Sequence, residues 1–258
     1  MSALLETRNL TRQFGGLRAI GDLSISVNKG EILGVIGPNG AGKTTFFNLL
    51  TGIYPPSSGD ILLNGRSIAG LRPSQIARLG MARTFQNIRL FRQLSVLENV
   101  RIAYDSRLVY SPADALLRTP SARIRERESI DASMELLELF ELGSLANDAA
   151  GDLSYGSQRR LEIVRALALN PSILLLDEPA AGMNPSEAMQ LLDFLKWVHG
   201  KFALTIVLIE HHMQMVMALC DRIEVIEFGV RIAGGTPDEV KANPRVIEAY
   251  LGVEGELP

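Results

Sequence analysis

The stretch GPNGAGKT, residues 37–44, decides how the rest of the chain is interpreted. It matches the pattern G-x-x-x-x-G-K-[ST] at every fixed position. It follows the apolar run EILGVIG and precedes the helix-like TTFFNLLTGI. A strand before this motif and a helix after it are the context in which it forms a phosphate-binding P-loop. Its three glycines let the backbone curl so that N–H groups face phosphate oxygens, and the helix N-terminus adds positive potential.

The side chains of this loop extend the prediction from a phosphate to a nucleotide with its metal ion. Lys43 is long enough to reach the β- and γ-phosphates, and the Thr44 hydroxyl is suited to bind Mg²⁺. A chance glycine turn would not place both side chains at the start of a helix. The residues predicted to bind the nucleotide here are Gly37, Pro38, Asn39, Gly40, Ala41, Gly42, Lys43, Thr44 and Thr45.

A second strand predicts the carboxylates that such a site needs. In SILLLDEP, residues 172–179, four apolar residues are followed by Asp177 and Glu178. Open α/β sheets bind ligands at the carboxyl ends of their strands. Asp177 is therefore predicted to contact Mg²⁺, as such carboxylates do in P-loop enzymes, and Glu178 to polarise a water. Taken alone, the pair also fits two carboxylates at a solvent-exposed strand end, but the complete P-loop favours the functional interpretation.

Three further side chains are candidates around the nucleotide. Gln86 follows the strand-like MARTF, and its amide is suited to contact Mg²⁺ or a water, although a glutamine in a loop has little specificity. His211 follows the apolar TIVLIE, and a neutral imidazole there can bond the γ-phosphate and orient the water. Phe14 precedes two glycines and can stack on a base, but it fits a core position equally well.

A second anion site is predicted at LSYGSQRR, residues 153–160. Ser154 is a good helix N-cap, Gly156 has freedom in φ, and the helix-like QRRLEIVRALAL follows. Free N–H groups at a helix start bind anions. Because residues 37–45 already form a complete phosphate site, this second site raises the question of whose phosphate it contacts.

The order of patterns predicts an α/β fold with a helical insert. Strand-like runs at 31–37, 172–177 and 204–210 alternate with helix-like segments, which indicates a mainly parallel sheet covered on both faces. Asn64-Gly65 predicts a hairpin. SVLENVRIAY at 95–104 and SIDASMELLELFEL at 129–142 are helical, the latter with a stripe of Ile130, Met134 and Leu137. Between these two segments the chain is polar and interrupted by Pro120.

Composition excludes several classes of protein. The 258 residues are 47% hydrophobic and 21% charged, which is typical of a globular chain. The net charge of −3 disfavours nucleic acid as a partner. The one cysteine, Cys220, forms no internal disulfide and is interpreted as a buried apolar residue. Neither a membrane span nor a signal peptide is recognisable, so we expect a cytoplasmic chain unless a partner holds it at a membrane.

Together these motifs resemble the nucleotide-binding subunit of ABC transporters. The resemblance covers essentially the whole chain in order, and each feature has a name in that family. They are the aromatic loop (Phe14), Walker A (37–45), Q-loop (Gln86), signature motif (LSYGSQ), Walker B (ILLLDEP), D-loop (AAGMNP) and switch histidine (His211). The resemblance implies one ABC ATPase domain over 1–258. Its P-loop NTPase (RecA-like) core spans 1–89 and 156–258 with an antiparallel β region, and its helical subdomain spans 90–155.

The resemblance also answers the question about the second anion site. In this family two subunits pair head to tail, and each ATP lies between the Walker A loop of one and the signature motif of the other. Ser154 and Gly156 are then expected to contact the γ-phosphate of a partner's ATP. Glu178, His211 and Gln86 are the expected catalytic residues, and Thr44, Gln86 and Asp177 are the expected Mg²⁺ contacts.

The sequence departs from the common family pattern at four positions. Tyr155 and Ser157 replace a glycine and a glutamine of the signature, Asn184 stands where the D-loop often has aspartate, and Phe14 stands in place of the frequent tyrosine. Since Ser154 and Gly156 are intact, we expect the signature to function. Asn184 removes any contact that depends on a carboxylate at that position.

Within the family, the chain is similar to the branched-chain amino acid importer group. That similarity lies in RTFQNIRLFRQLSVLENV, in DEPAAGMNP followed by LIEHHM, and in NPRVIEAYLG near the end. It implies a second ATPase subunit (a paralogue or a second copy), two membrane permeases, a periplasmic binding protein and a place on the cytoplasmic face of the inner membrane. Related ATPases serve other amino acids, urea and amides, or lipopolysaccharide export. Ribosome- or DNA-associated ABC proteins and P-loop kinases are the alternatives from other classes. The former usually have two cassettes or long arms, and the latter leave LSYGSQ unexplained.

Overall fold

The apolar run before the P-loop forms a fully buried strand, β4 (Ile32–Ile36), inside a mainly parallel sheet. The computed structural model describes residues 3–107 and 120–251; the remaining residues, which include 108–119 of the predicted helical insert, lie outside the described part. Within that part the sheet has six strands. From edge to edge they are β11 (Val230–Gly235), β10 (Arg222–Glu227), β4, β9 (Thr205–Ile209), β8 (Ile173–Asp177) and β7 (Met81–Arg83).

The register of this sheet places the predicted site residues at one edge. All strands from β10 to β7 are parallel, and β11 alone pairs antiparallel, with β10. Strands β4, β8 and β9 are buried at every residue, as expected for a parallel sheet covered on both faces. Because Asp177 lies opposite Ile209, the residues that follow β8 and β9 emerge side by side. The predicted parallel α/β sheet is thus confirmed.

A second, antiparallel sheet accounts for the N-terminal strands. Its order is β2-β1-β5-β6, with a short β3 also paired to β1. The ranges are β1 (Ala3–Phe14), β2 (Leu17–Leu23), β3 (Ser26–Asn28), β5 (Ser58–Leu63) and β6 (Arg66–Ser67). The turn between β5 and β6 is the predicted Asn64-Gly65 pair. Both residues have positive φ, 52° and 75°, as a two-residue type I′ hairpin turn requires.

The chain divides into two compact units, residues 1–86 with 172–258, and residues 87–171. Both sheets belong to the first unit, and so do six of the described helices. These are α1 (Lys43–Leu50), α2 (Pro73–Arg78), α6 (Pro185–Phe202), α7 (Met213–Leu219), α8 (Pro237–Lys241) and α9 (Pro244–Leu251). None of the helices in the described residues is both long enough and apolar enough to cross a membrane.

The second unit consists mainly of three helices, α3 (Val96–Asp105), α4 (Pro120–Leu139) and α5 (Tyr155–Leu167). The sequence assigned residues 156–171 to the core, whereas in the structure they cluster with the insert. The reason is that α5 packs against α3 and α4. Helix α3 begins with a capping box, in which Ser95 Oγ accepts from the Glu98 N–H and the Glu98 side chain accepts from the Ser95 N–H.

Helix α4 differs from its prediction in both its start and its buried face. It begins at Pro120 rather than near residue 129, because proline fits the first turn of a helix, where its missing N–H costs nothing. The predicted stripe is one residue out of phase at two positions. Ile130 and Met134 are only partly buried, while Ser129, Ser133 and Leu137 are buried. Serine at two buried positions hides this face from a pattern that counts only apolar residues.

Cys220 is buried as predicted, and its reactivity follows from that burial. Burial raises the pKa of the thiol to about 12, and Asp221 and Glu210 add to the shift. We expect no reaction of the native chain with a thiol-disulfide reagent at pH 8, and one equivalent of reaction in denaturant. Since the folded-state pKa is raised, the thiol's contribution to stability is complete below about pH 8.5, its pKa when unfolded. That contribution falls as the pH rises towards 12. Fast native labelling at pH 8 would contradict this.

Candidate active site

The P-loop is folded around the amine of its own lysine. Lys43 Nζ donates to the carbonyl oxygens of Gly37 at 2.6 Å and Pro38 at 2.9 Å, and only 6% of the residue is exposed. Burial lowers the pKa of Lys43, and the carboxylates of Glu178 and Asp177 oppose part of that shift. An anionic ligand would favour the charged amine, so the loop is prepared for phosphate.

Two glycines of the loop are required by close backbone contacts. Gly37 has φ 154°, and a Cβ there would lie 1.9 Å from the carbonyl oxygen of Ile226. Gly42 has φ 100°, and a Cβ there would lie 2.7 Å from the carbonyl oxygen of Ala19. Gly42 is also the N-cap of α1, whose first N–H groups have no partner within the helix. The loop therefore sits tightly against β2 and β10, with the start of α1 in place as an anion site.

The C-terminal helix α9 also contacts the P-loop. Burial raises the pKa of Tyr250 to about 12, and a hydrogen bond with the backbone of Gly37 opposes part of that shift. No sequence pattern connects this tyrosine with the loop 213 positions earlier.

Glu178 lies at the centre of a hydrogen-bonded group formed by three of the predicted catalytic residues. Its Oε1 lies 3.0 Å from His211 Nε2, and its Oε2 accepts from Gln86 Nε2 at 2.6 Å. Glu178 itself has φ 47°, a left-handed conformation that costs a non-glycine residue of order 1–3 kcal/mol. Strain of this kind persists only where surrounding contacts fix it, so the geometry holds the Glu178 carboxylate between the amide and the imidazole.

Asp177 is paired with an arginine that the sequence interpretation did not consider. Arg83 lies on β7, next to β8, and its Nη2 donates to Asp177 Oδ2 at 2.6 Å; 5% of each side chain is exposed. Arg83 Nη1 also donates to Asn48 Oδ1 at 2.8 Å and to Thr51 Oγ1 at 3.3 Å. The buried carboxylate is therefore neutralised within the chain. The available signal was an arginine at the end of the strand-like MAR. That strand pairs with β8, and Arg83 lies opposite Leu175, two residues before Asp177.

Glu210, the last residue before His211, is buried and accepts three backbone hydrogen bonds. Its Oε1 accepts from the Ala180 N–H at 2.7 Å, and its Oε2 accepts from the N–H groups of His211 at 2.9 Å and His212 at 3.3 Å. Only 2% of the residue is exposed. The sequence signal was a carboxylate at the end of the mainly apolar stretch TIVLIE, and sequence reasoning missed it.

The signature motif begins α5 in the second unit. Ser154 is the N-cap, and its Oγ accepts from the Ser157 N–H at 3.3 Å, which is the predicted local structure. Gly156 has open space where a Cβ would lie, and 46% of Tyr155 is exposed. Both features leave the N-terminus of α5 accessible to a phosphate group.

Phe14 ends β1, and 37% of it is exposed. Its ring meets Tyr54 edge to face at a centroid distance of 5.1 Å, and the Arg12 guanidinium lies 4.5 Å from its centroid. The position is thus at the surface rather than in the core. Stacking of Phe14 on adenine stays a prediction.

The chemistry of the donors fits a cation that shares its ligands with phosphate. Among the described residues, no cluster of three or more His, Cys, Asp or Glu side chains is arranged to hold a metal ion by itself. Mg²⁺ in phosphate-transfer sites typically uses one or two protein ligands together with substrate oxygens and water. The exposed hydroxyl of Thr44 and the carboxylate of Asp177 suit that role, and the Gln86 amide is engaged with Glu178.

Comparison with known proteins identifies the family of the chain. Residues 20–181 match the family described as ABC transporter, and residues 230–256 match the family described as branched-chain amino acid ATP-binding cassette transporter. The second match includes α9 and Tyr250.

Individual relatives cover nearly the whole chain. The high-affinity branched-chain amino acid transport ATP-binding protein LivG of Salmonella typhimurium is 47% identical over 249 residues, covering 96% of this chain and 98% of that protein. BraF of Pseudomonas aeruginosa, which carries the same description, is 45% identical with the same coverage. The crystal structure of the ADP conformation of MJ1267, an ATP-binding cassette of an ABC transporter, has a TM-score of 0.84. It is 32% identical and covers 98% of this chain and all of that one.

Proposed function

Because this chain belongs to the ABC transporter family, as an ATP-binding cassette subunit, we propose that it powers uptake of leucine, isoleucine and valine across the cytoplasmic membrane. The observation that carries the cargo assignment is the 47% identity to LivG over 98% of that protein's length. The family match makes the chain an ATPase, and the bonded group of Glu178, His211 and Gln86 supports a hydrolytic role for these residues.

The residues of this chain divide the chemistry among them. Lys43 and the start of α1 would hold the phosphates, which supplies positioning and charge compensation. Glu178 would accept a proton from the attacking water. His211, bonded to Glu178 Oε1, would bond the γ-phosphate and orient that water. We propose Thr44, Asp177 and Gln86 as the residues that hold Mg²⁺, which when bound neutralises charge on the phosphates.

We further propose that ATP is shared between this chain and a second ATPase subunit. Ser154 and Gly156, at the accessible start of α5, would contact the γ-phosphate of ATP held by the partner's P-loop. Hydrolysis then removes the group that both subunits bind. Two permeases and, through them, a periplasmic binding protein would complete the assembly, with this chain on the cytoplasmic face of the inner membrane.

The segment NIRLFRQL after Gln86 is proposed to contact a permease. Phe91 is 49% exposed, and Arg165 on α5 lies 5.7 Å from the centroid of its ring. Ile88 and Leu90 are partly buried, while Arg89 and Arg92 are exposed. An aromatic anchor with a basic rim suits a short helix of a membrane subunit.

The cargo is tested by uptake of labelled leucine in source cells that carry either the native chain or Glu178→Gln. We expect the variant to abolish high-affinity uptake, because the transporter then lacks its hydrolysis step. Glu135→Gln, the same change at an exposed position of α4, is the control and should leave uptake unchanged. Normal leucine uptake with Glu178→Gln, in cells whose purified native chain hydrolyses ATP, would overturn the cargo. Urea, amides and other amino acids would be tested next.

A further inference from the structure

The catalytic pair Glu178 and His211 lies on two backbone segments that meet beyond neighbouring strands. Glu178 follows β8 and His211 follows β9, and their side chains meet at 3.0 Å. The Glu178 N–H donates to the Ile209 carbonyl at 2.8 Å, which continues the ladder by one residue. Beyond that bond the two segments leave the sheet, so their spacing must be fixed by an interaction other than the strand ladder.

The carboxylate of Glu210 joins these two segments. One oxygen takes the N–H of Ala180, two residues after Glu178, and the other takes the N–H groups of His211 and His212. Hydrogen bonds to an ionised acceptor are stronger than neutral ones. Glu210 forms no ion pair among the described residues, so these three N–H groups are its charge partners. Removing these hydrogen bonds from a buried carboxylate costs free energy, because the charge then has no partner.

We propose that Glu210 is a positioning residue for hydrolysis, one that holds the backbones of Glu178 and His211 at the spacing their hydrogen bond requires. This proposal rests on the hydrolytic role of Glu178 and His211 given above. The left-handed backbone of Glu178 needs such external support, because an unsupported residue would relax from φ 47°. Glu210 itself touches neither ATP nor water in this scheme and acts through the two residues.

The number of acceptors makes a carboxylate necessary. The N–H groups of the two segments bond different oxygens of the carboxylate, so a side chain with one acceptor oxygen can hold one segment but not both. Glu210→Gln keeps the size of the side chain and places an NH₂ group against at least one backbone N–H. Glu210→Asp keeps both oxygens but is one methylene shorter. Each variant therefore loosens the link between the segments without touching the P-loop.

The test measures ATP affinity and single-turnover hydrolysis of the full chain. We expect Glu210→Gln to lower the hydrolysis rate about 10–100-fold, since small misplacement of catalytic groups has effects of this size. The dissociation constant for ATP should change by less than about threefold, because Lys43 and its loop are intact. Glu224→Gln, which removes a charge buried between Arg222 and Arg231 on the same sheet, is the matched control and should leave the rate unchanged.

A double-mutant cycle separates positioning from general destabilisation. In the His211→Ala background, Glu210→Gln should cost less than about threefold, because the Glu178–His211 hydrogen bond whose spacing Glu210 fixes is already absent. A full additional loss in that background would overturn the proposal. So would a rate for Glu210→Gln equal to that of Glu224→Gln. If Glu210→Gln does not fold, Glu210→Asp is measured in the same cycle.

A spectroscopic readout does not depend on hydrolysis. The chain has three histidines, so the imidazole signals of His211 can be assigned by comparison with His211→Asn. In the nucleotide-free chain, Glu210→Gln should shift the His211 signals and leave those of His199 in place. Unchanged His211 signals would overturn the inference. If the wild type hydrolyses no ATP, the proposed function fails, and this spectrum still decides whether Glu210 positions His211.

Discussion

Replacing Glu178 with glutamine is expected to slow ATP hydrolysis by about 10²–10⁴-fold, the range that a positioned general base contributes. Glutamine has the same shape and can still accept from Gln86 and bond His211, so the bonded group persists. What it lacks is the negative oxygen that takes the proton of the attacking water. Because Lys43 and α1 are unaffected, ATP should bind within a few-fold of the native affinity.

The measurement is phosphate release, together with size-exclusion chromatography in Mg-ATP. With hydrolysis blocked, ATP should persist between two subunits, so the variant should elute as a dimer where the native chain is a monomer. Glu135→Gln controls for the chemical change. A hydrolysis rate within threefold of the native one would remove Glu178 from the mechanism. A monomeric variant would exclude the self-dimer and leave pairing with a paralogue.

Replacing Lys43 with alanine is expected to weaken ATP binding by about 10–150-fold, the equivalent of one charge-assisted contact of 1.5–3 kcal/mol. The truncation removes the positive charge from the phosphate site. It also removes the amine that donates to the carbonyl oxygens of Gly37 and Pro38, which loosens the loop itself. Hydrolysis should fall with binding, because a poorly held γ-phosphate is not aligned with Glu178.

Equilibrium binding of a fluorescent ATP analogue, competed with ATP, measures this effect. Lys196→Ala is the matched control, because Lys196 is exposed on α6 and should leave the affinity unchanged. Thermal unfolding of both variants shows whether loss of the two loop hydrogen bonds also lowers stability. ATP affinity of Lys43→Ala within twofold of the native chain would overturn the P-loop assignment.

Patterns of local sequence were sufficient for the elements that depend on local chemistry. The P-loop, the Walker B strand and the Asn64-Gly65 turn each carry their structural requirement in a few neighbouring residues, such as positive φ at Gly42. The grouping of Gln86, Glu178 and His211 followed from a topological rule, that parallel strands present their carboxyl ends at one edge.

The contacts that were missed join residues far apart in sequence without a motif. Arg83 meets Asp177 because β7 happens to pair with β8, and strand order was not fixed by the pattern. Tyr250 reaches Gly37 only after α9 has packed, so no local signal marks it. Glu210 is part of no motif, and its three donors are backbone N–H groups, which have no sequence code.

The pairing of Arg83 with Asp177 bears on the proposed catalytic cycle, in which Mg²⁺ leaves with the product. A buried carboxylate whose partner cation leaves with the product would be uncompensated, and breaking such a pair typically costs about 3–5 kcal/mol. Here the chain keeps a resident counter-ion, held in place by Asn48 and Thr51 as well. On the proposed mechanism, release of product and Mg²⁺ therefore leaves no uncompensated charge in the sheet. The Arg83 guanidinium compensates Asp177 until the next ATP binds.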